Sequence, residues 1–192
     1  MRDKPNYMSP DTFDAIIDSI PELKIRKWDD GDVQMLFKML YFCALRPTEG
    51  INRSKEDFDI ENREIALGKT KTKKMDYAPI PKIFIPELTR YLNHKGTGRL
   101  LPGLEYDTFY RWLKRLGKSL DVPAWSIPQK ETGEKTVGHI FRKSVGKDML
   151  SGMYGEAAKS IPVISKQMRH AKPSMTVDYY LKAGIEQVKE AW

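Results

Sequence analysis

The stretch DFDIENREIALGKTKTKKMDYAPI, from Asp57 to Ile80, decides the fold class. Phe58-Asp59-Ile60, Ile65-Ala66-Leu67 and Tyr77-Ala78-Pro79-Ile80 are short strand-like pieces. Glu61-Asn62-Arg63 separates the first two, and the glycine-lysine stretch 68–74 separates the second from the third. Runs of this kind bounded by turn residues predict strands joined by hairpins. A small three-stranded antiparallel sheet with a basic hairpin tip is therefore expected. On either side the period lengthens to that of helices. Asp11 is placed to cap a helix with Phe13, Ile16, Ile17 and Ile20 on its apolar face, ended by Pro21. A longer helix over about 32–45 buries Leu36, Met39, Leu40 and Cys43 at helical spacing, with Arg46 at its end. Helices are also expected over about 84–94, 106–120, 138–152, 156–169, 174–181 and 183–191. Pro123, Pro128 and Gly133 mark 121–137 as a long surface loop. The expected class is α+β, mainly α-helical. Residues 1–8 are a linker or tail, and 9–192 form one domain.

With 192 residues the chain is long enough for a real core. Its 33 Lys and Arg against 26 Asp and Glu leave a net charge of +7, which suits a polyanion, most simply nucleic acid. The same excess also suits a soluble basic protein with no such partner, so charge alone decides nothing. Cys43 is the only cysteine, which excludes an intrachain disulfide and a Cys-rich zinc site. No run approaches the ~18 apolar residues of a membrane span, and Met1-Arg2-Asp3-Lys4-Pro5 lacks the apolar core of a signal peptide. A cytoplasmic location is expected. Asp29-Asp30-Gly31-Asp32 lacks the ligand spacing of a calcium loop and is a turn with a helix cap. His94 follows a helix in a surface loop.

Six residues could together cleave a phosphodiester without a metal, which takes cations around the phosphate, a proton donor and a nucleophile. Arg46 lies in Ala44-Leu45-Arg46-Pro47-Thr48-Glu49, and Glu49 could pair with it or brace its helix. Lysines 69, 71, 73 and 74 crowd the hairpin tip, and local reasoning cannot choose among them. His139 and Arg142 are three apart and share a helix face, as an anion site would require. His170 closes Met168-Arg169-His170, and Tyr179 follows nine residues later beside Tyr180. Each has an ordinary explanation alone: a cation at a helix end, a solvated turn, a packed ring.

Together the motifs resemble the catalytic domain of the tyrosine recombinases, the phage-integrase family, over about residues 9–190. Leu45-Arg46-Pro47-Thr48-Glu49 is similar to its Leu-Arg-x-x-Glu box, and His139-Ile140-Phe141-Arg142 to its His-x-x-Arg box. The His170 to Tyr179 spacing fits, and Lys71 has the hairpin position eight residues before Pro79. Met168-Arg169-His170 departs from the usual Leu-Gly-His by placing a bulky charge beside the site, and the lysine assignment could slide to Lys69 or Lys73.

The resemblance implies site-specific DNA recombination by strand cleavage and rejoining. Tyr179 is the nucleophile and forms a 3′-phosphotyrosyl link. Arg46, Arg142 and His170 hold the phosphate, His139 takes the tyrosine proton, and Lys71 protonates the leaving 5′ oxygen. Lys69, Lys73, Lys74 and Arg169 would contact DNA. No metal, cofactor or ATP is implied. The partner is double-stranded DNA, with a tetramer on DNA, a monomer when free, and no membrane association. Residues 182–192 form a terminal helix that packs on its own domain or on a neighbouring protomer. The family's N-terminal DNA-clamping domain is expected to be absent from this chain. A type IB topoisomerase-like enzyme and a noncatalytic DNA-binding module are the alternatives.

Overall fold

A computed structural model describes residues 8–69, 75–120, 138–152 and 157–169. Helix α1 (Pro10–Asp18) is capped by Ser9, whose Oγ accepts the Thr12 N–H at 3.1 Å. The cap is thus Ser9 and not Asp11, which lies in the first turn. Pro10 occupies the opening position, where a missing N–H costs no helical hydrogen bond. The helix stops before Pro21, which sits inside a 3-10 turn, Ile20–Leu23. Met8, assigned by the sequence to a leading tail, is buried and donates its N–H to Ser144 Oγ at 2.9 Å.

Helix α2 (Asp30–Phe42) buries Leu36, Met39 and Leu40, with Cys43 buried at its C-cap. It ends earlier than the periodicity predicts. Ala44 turns the chain with φ 50°, and Arg46 becomes the N-cap of a second helix, α3 (Pro47–Ile51). Pro47 therefore starts a helix where the sequence reading placed none. Its fixed φ suits a first turn as well as it obstructs an interior one.

Strands β1 (Phe58–Asp59), β2 (Glu64–Lys69) and β3 (Met75–Pro79) form an antiparallel sheet in that order. Phe58 pairs with Ile65, and Ile65 with Ala78. Ile65 and Ala78 face the core, while Tyr77, one position along, is exposed, as a period of two requires. The register shifts between Ala66 and Gly68, where Gly68 has φ 90°. A glycine takes up that bulge without a Cβ penalty. The last described pair is Lys69 with Met75, so the lysine-rich tip 70–74 lies outside the described residues, as do the segment 121–137 and the expected helices over 174–181 and 183–191.

Helices α4 (Ile85–Asn93), α5 (Tyr106–Ser119), α6 (His139–Ser151) and α7 (Ile161–Gln167) follow among the described residues. Helix α7 begins later than expected because Pro162 belongs in its first turn. Between α1, α2, α5 and α6 lies an aromatic core. Phe13 stacks on Tyr41 at 4.1 Å, and Phe141 meets Phe37 edge-on at 5.3 Å. Each such pair adds about 0.5–1.5 kcal/mol beyond area burial. The Tyr41 hydroxyl donates to the Asp148 carboxylate within this core, joining α2 to α6. Burial pushes the Asp148 carboxyl up, partly offset by that hydrogen bond.

Tyr41→Phe would leave a buried carboxylate without its hydroxyl donor and should cost about 1–3 kcal/mol. Thermal unfolding measures this loss, and an unchanged midpoint would place Asp148 in contact with water.

Candidate functional site

The site forms where the α2–α3 corner, the start of α6, the end of α7 and β3 meet. At the corner, the Glu49 carboxylate folds back on its own helix start. Its Oε2 accepts the Arg46 backbone N–H at 2.6 Å, and its Oε1 accepts Arg46 Nη1 at 2.6 Å. The sequence left open whether Glu49 pairs with Arg46 or braces its helix; it does both. Glu49 Oε2 also accepts Arg169 Nη2 at 2.7 Å. Burial tends to raise the Glu49 carboxyl. The hydrogen bonds from the Arg46 backbone and Arg169, the Arg169 charge and the Arg46 side chain outweigh it, so the Glu49 carboxyl lies below its usual range.

Arg142 comes to the same place from α6. Only 4% exposed, it donates Nη1 to the Ala44 carbonyl at 2.6 Å, while its Nη2 is buried with no hydrogen-bond partner. The left-handed turn at Ala44 sets the chain direction from which that carbonyl is offered. Burial, then the Arg169 and Arg46 charges, push the Arg142 guanidinium down to about 9, partly offset by Glu49 and Asp76. It remains a cation at neutral pH, but in surroundings short of anions. The Arg46 side chain is 44% exposed, whereas Arg142 is buried.

Two glycines allow these elements to meet. A Cβ on Gly138 would overlap Pro47 Cγ, so α6 can approach α3 this closely only with glycine before His139. A Cβ on Gly50 would lie 2.7 Å from Leu40 Cδ2 and 2.9 Å from Leu36 Cδ1, so glycine also sets α3 against α2. Arg53 ties α3 to the sheet. Its Nε donates to the Glu49 carbonyl at 2.8 Å, a second nitrogen donates to the Ala66 carbonyl, and Asp57 pairs with it at 3.0 Å. Gln167 joins α7 to α2 and β3 through the carbonyls of Phe42, at 3.3 Å, and Pro79, at 3.2 Å.

Of the residues the sequence singled out, Arg46, Arg142 and Arg169 converge here. His139 opens α6 half-buried, on the helix that carries Arg142. The backbone of Lys69 ends β2. Lys71, Lys73, Lys74, His170 and Tyr179 lie outside the described residues. The sequence reading did not find Gly138, Ala44, Asp76 or Gln167. A glycine directly before the His-x-x-Arg helix was a visible signal, whereas Ala44 and Gln167 act through backbone carbonyls and carry none. Cys43 is a core residue whose thiol is pushed far up by burial, which makes it a poor nucleophile. Among the described residues, no cluster of three His, Cys, Asp or Glu could hold a metal ion, and no helix is long and apolar enough to cross a membrane.

A family model described as "Phage integrase family" matches residues 6–184. No curated protein matches the chain significantly. Among solved structures, the XerH site-specific recombinase in a post-cleavage complex with a palindromic difH substrate superposes with a TM-score of 0.67 at 18% identity, covering 98% of this chain and 53% of that one. The catalytic domain of bacteriophage HP1 integrase gives 0.62 at 16% identity, covering 95% of each chain. A XerA recombinase gives 0.61 at 17% identity, covering 93% of this chain and 61% of that one. The chain thus spans between half and two thirds of the Xer proteins and nearly all of the HP1 catalytic domain.

Gly138→Ala should force α6 away from Pro47 and cost about 1–3 kcal/mol, readable as a lower denaturant midpoint. Acid unfolding tests Glu49. With its folded pKa below the ordinary 4.5, the unfolded chain binds more protons in that window. The stabilisation is therefore complete above pH 4.5 and lost as pH falls through the lower folded value. Glu49→Gln should flatten this part of the acid limb, and an unchanged slope would place the acid sensitivity elsewhere.

Proposed function

We propose, since the chain belongs to the phage integrase family, that it cuts and rejoins double-stranded DNA as a site-specific tyrosine recombinase. The observation that carries this reading is the convergence of Arg46 and Arg142 on one small region, with a buried Arg142 donor left open. Guanidiniums held this way suit the equatorial oxygens of a phosphoryl group in its transition state. Residues 9–192 form the catalytic unit in this proposal, with 182–192 a terminal helix. The enzyme works as a tetramer on DNA, is monomeric when free, and acts in the cytoplasm.

The proposed reaction runs as follows. A phosphate of the duplex enters at Arg46 and is held by Arg46, Arg142 and His170. The Tyr179 hydroxyl attacks phosphorus, forming an O–P bond as the bond to the 5′ oxygen breaks. A phenol near pKa ~10 is mostly protonated at neutral pH, so His139 takes its proton, while Lys71 gives one to the departing 5′ oxygen. The 3′-phosphotyrosyl link retains the ester bond energy, and attack by a 5′-hydroxyl reverses the step without ATP. Lys69, Lys73, Lys74 and Arg169 add DNA contacts around this centre, which implies a strong dependence of binding on salt. The Glu49 side chain takes no part in proton transfer. It fixes Arg46 at the angle from which that guanidinium meets the phosphate.

Covalent trapping on nicked duplex DNA tests the chemistry. The native chain should form an adduct that survives a denaturing gel, and Tyr179→Phe should abolish it while Tyr180→Phe keeps it. Loss with Tyr180→Phe alone would move the nucleophile by one residue. An adduct on supercoiled plasmid of any sequence, with relaxation and no recombination, would instead identify a topoisomerase.

A further inference from the structure

Arg169 follows α7 and holds φ 47°, a left-handed conformation that costs a non-glycine residue about 1–2 kcal/mol. Its side chain is only 9% exposed. Nη2 donates to Glu49 Oε2 at 2.7 Å, while Nη1 lies 3.9 Å from Asp76 Oδ2. That distance is beyond a hydrogen bond, and Nε and Nη1 are buried without partners. Arg142 Nη2 is in the same condition. Three guanidiniums, of Arg46, Arg142 and Arg169, thus face two carboxylates, Glu49 and Asp76. A buried charged donor left unpaired is costly. A strained backbone that carries two such donors, where a glycine would relieve the strain, points to a use for the side chain.

We propose that Arg169 is a third guanidinium for the reacting phosphate, anchored on Glu49 through Nη2 and donating Nε and Nη1 to a nonbridging oxygen alongside Arg142 Nη2. An anion in this place balances the excess positive charge and fills three donors together. Glu49 is then the common anchor that keeps Arg46 and Arg169 apart at a spacing a phosphate can bridge. This inference rests on the DNA-cleavage reading for the identity of the phosphate, while the anion chemistry stands without it. Asp76, second residue of β3 beside the hairpin tip, is the other carboxylate near Nη1, too far to fill that donor.

The test compares the full chain with Arg169→Gly, which relieves the backbone, and Arg169→Gln, which keeps bulk and removes charge. The first readout is binding of inorganic phosphate, followed as the rise in Tm over chloride at equal ionic strength. Phosphate should stabilise the native chain, and both variants should weaken its affinity by about tenfold or more, as loss of charged hydrogen bonds implies. The second readout is DNA binding, where the slope of log affinity on log salt should fall by about 0.9 for one lost phosphate contact, and where adduct formation at saturating DNA should slow. A residue that only braces Glu49 would lower Tm in chloride and leave phosphate affinity and salt slope unchanged, and that result overturns the proposal. So does a native chain indifferent to phosphate. If phosphate binding depends on Arg169 but no adduct forms on any DNA, the anion site stands and the cleavage reading fails.

Discussion

The Glu49 carboxylate accepts three hydrogen bonds from two arginines far apart in sequence, two from Arg46 and one from Arg169. In a partly buried setting such charge-assisted bonds are stronger and more directional than in water. Each bond has a structural consequence. The bond to the Arg46 N–H closes the start of α3. The bond to Nη1 aims the Arg46 side chain. The bond from Arg169 brings the end of α7 to the α2–α3 corner. Without a carboxylate at this point, the like charges of Arg46 and Arg169 would meet with nothing between them.

Around that pivot the scaffold works by close approach of backbones. The α2–α3 corner turns at Ala44, whose carbonyl is free to receive Arg142 because the helix hydrogen bonds have ended there. Gly138 and Gly50 let α6 and α2 come within contact of α3. Arg53 fastens the same short helix to the sheet through two carbonyls and Asp57. A helix of five residues has little stability of its own, so its position is set almost wholly by these neighbours. The aromatic core of Phe13, Phe37, Tyr41 and Phe141 ties together α1, α2 and α6, the last of which carries Arg142.

Where the sequence reading and the structure part, the reason is local. Asp11 and Ser9 are both good caps, but Pro10 is suited to the first turn, which moves the cap to the residue before it. Pro47 and Pro162 both open helices, at positions that apolar periodicity does not mark. Arg142 shares a helix face with His139 by spacing, yet it is as buried as Ile140 and Phe141 beside it, because α6 is covered on almost all sides. The hydrophobic pattern of such a helix loses its contrast, so periodicity cannot tell a buried cation from its apolar neighbours.

The sequence by itself determined the mixed class, the longer helices, the small three-stranded sheet and the motifs that mark the family, but not the short helix α3. Those follow from short-range rules: spacing of apolar residues, turn composition, and charged residues out of pattern. The tertiary structure alone decided that Arg169 shares Glu49 with Arg46, that Arg142 leans on the Ala44 carbonyl, and that Gly138 must be glycine to admit Pro47. These depend on contacts between residues separated by about a hundred positions in the chain. A carboxylate shared with a distant arginine and a backbone carbonyl as acceptor leave no spacing to read, and the glycine at 138 shows in the sequence without showing what it admits.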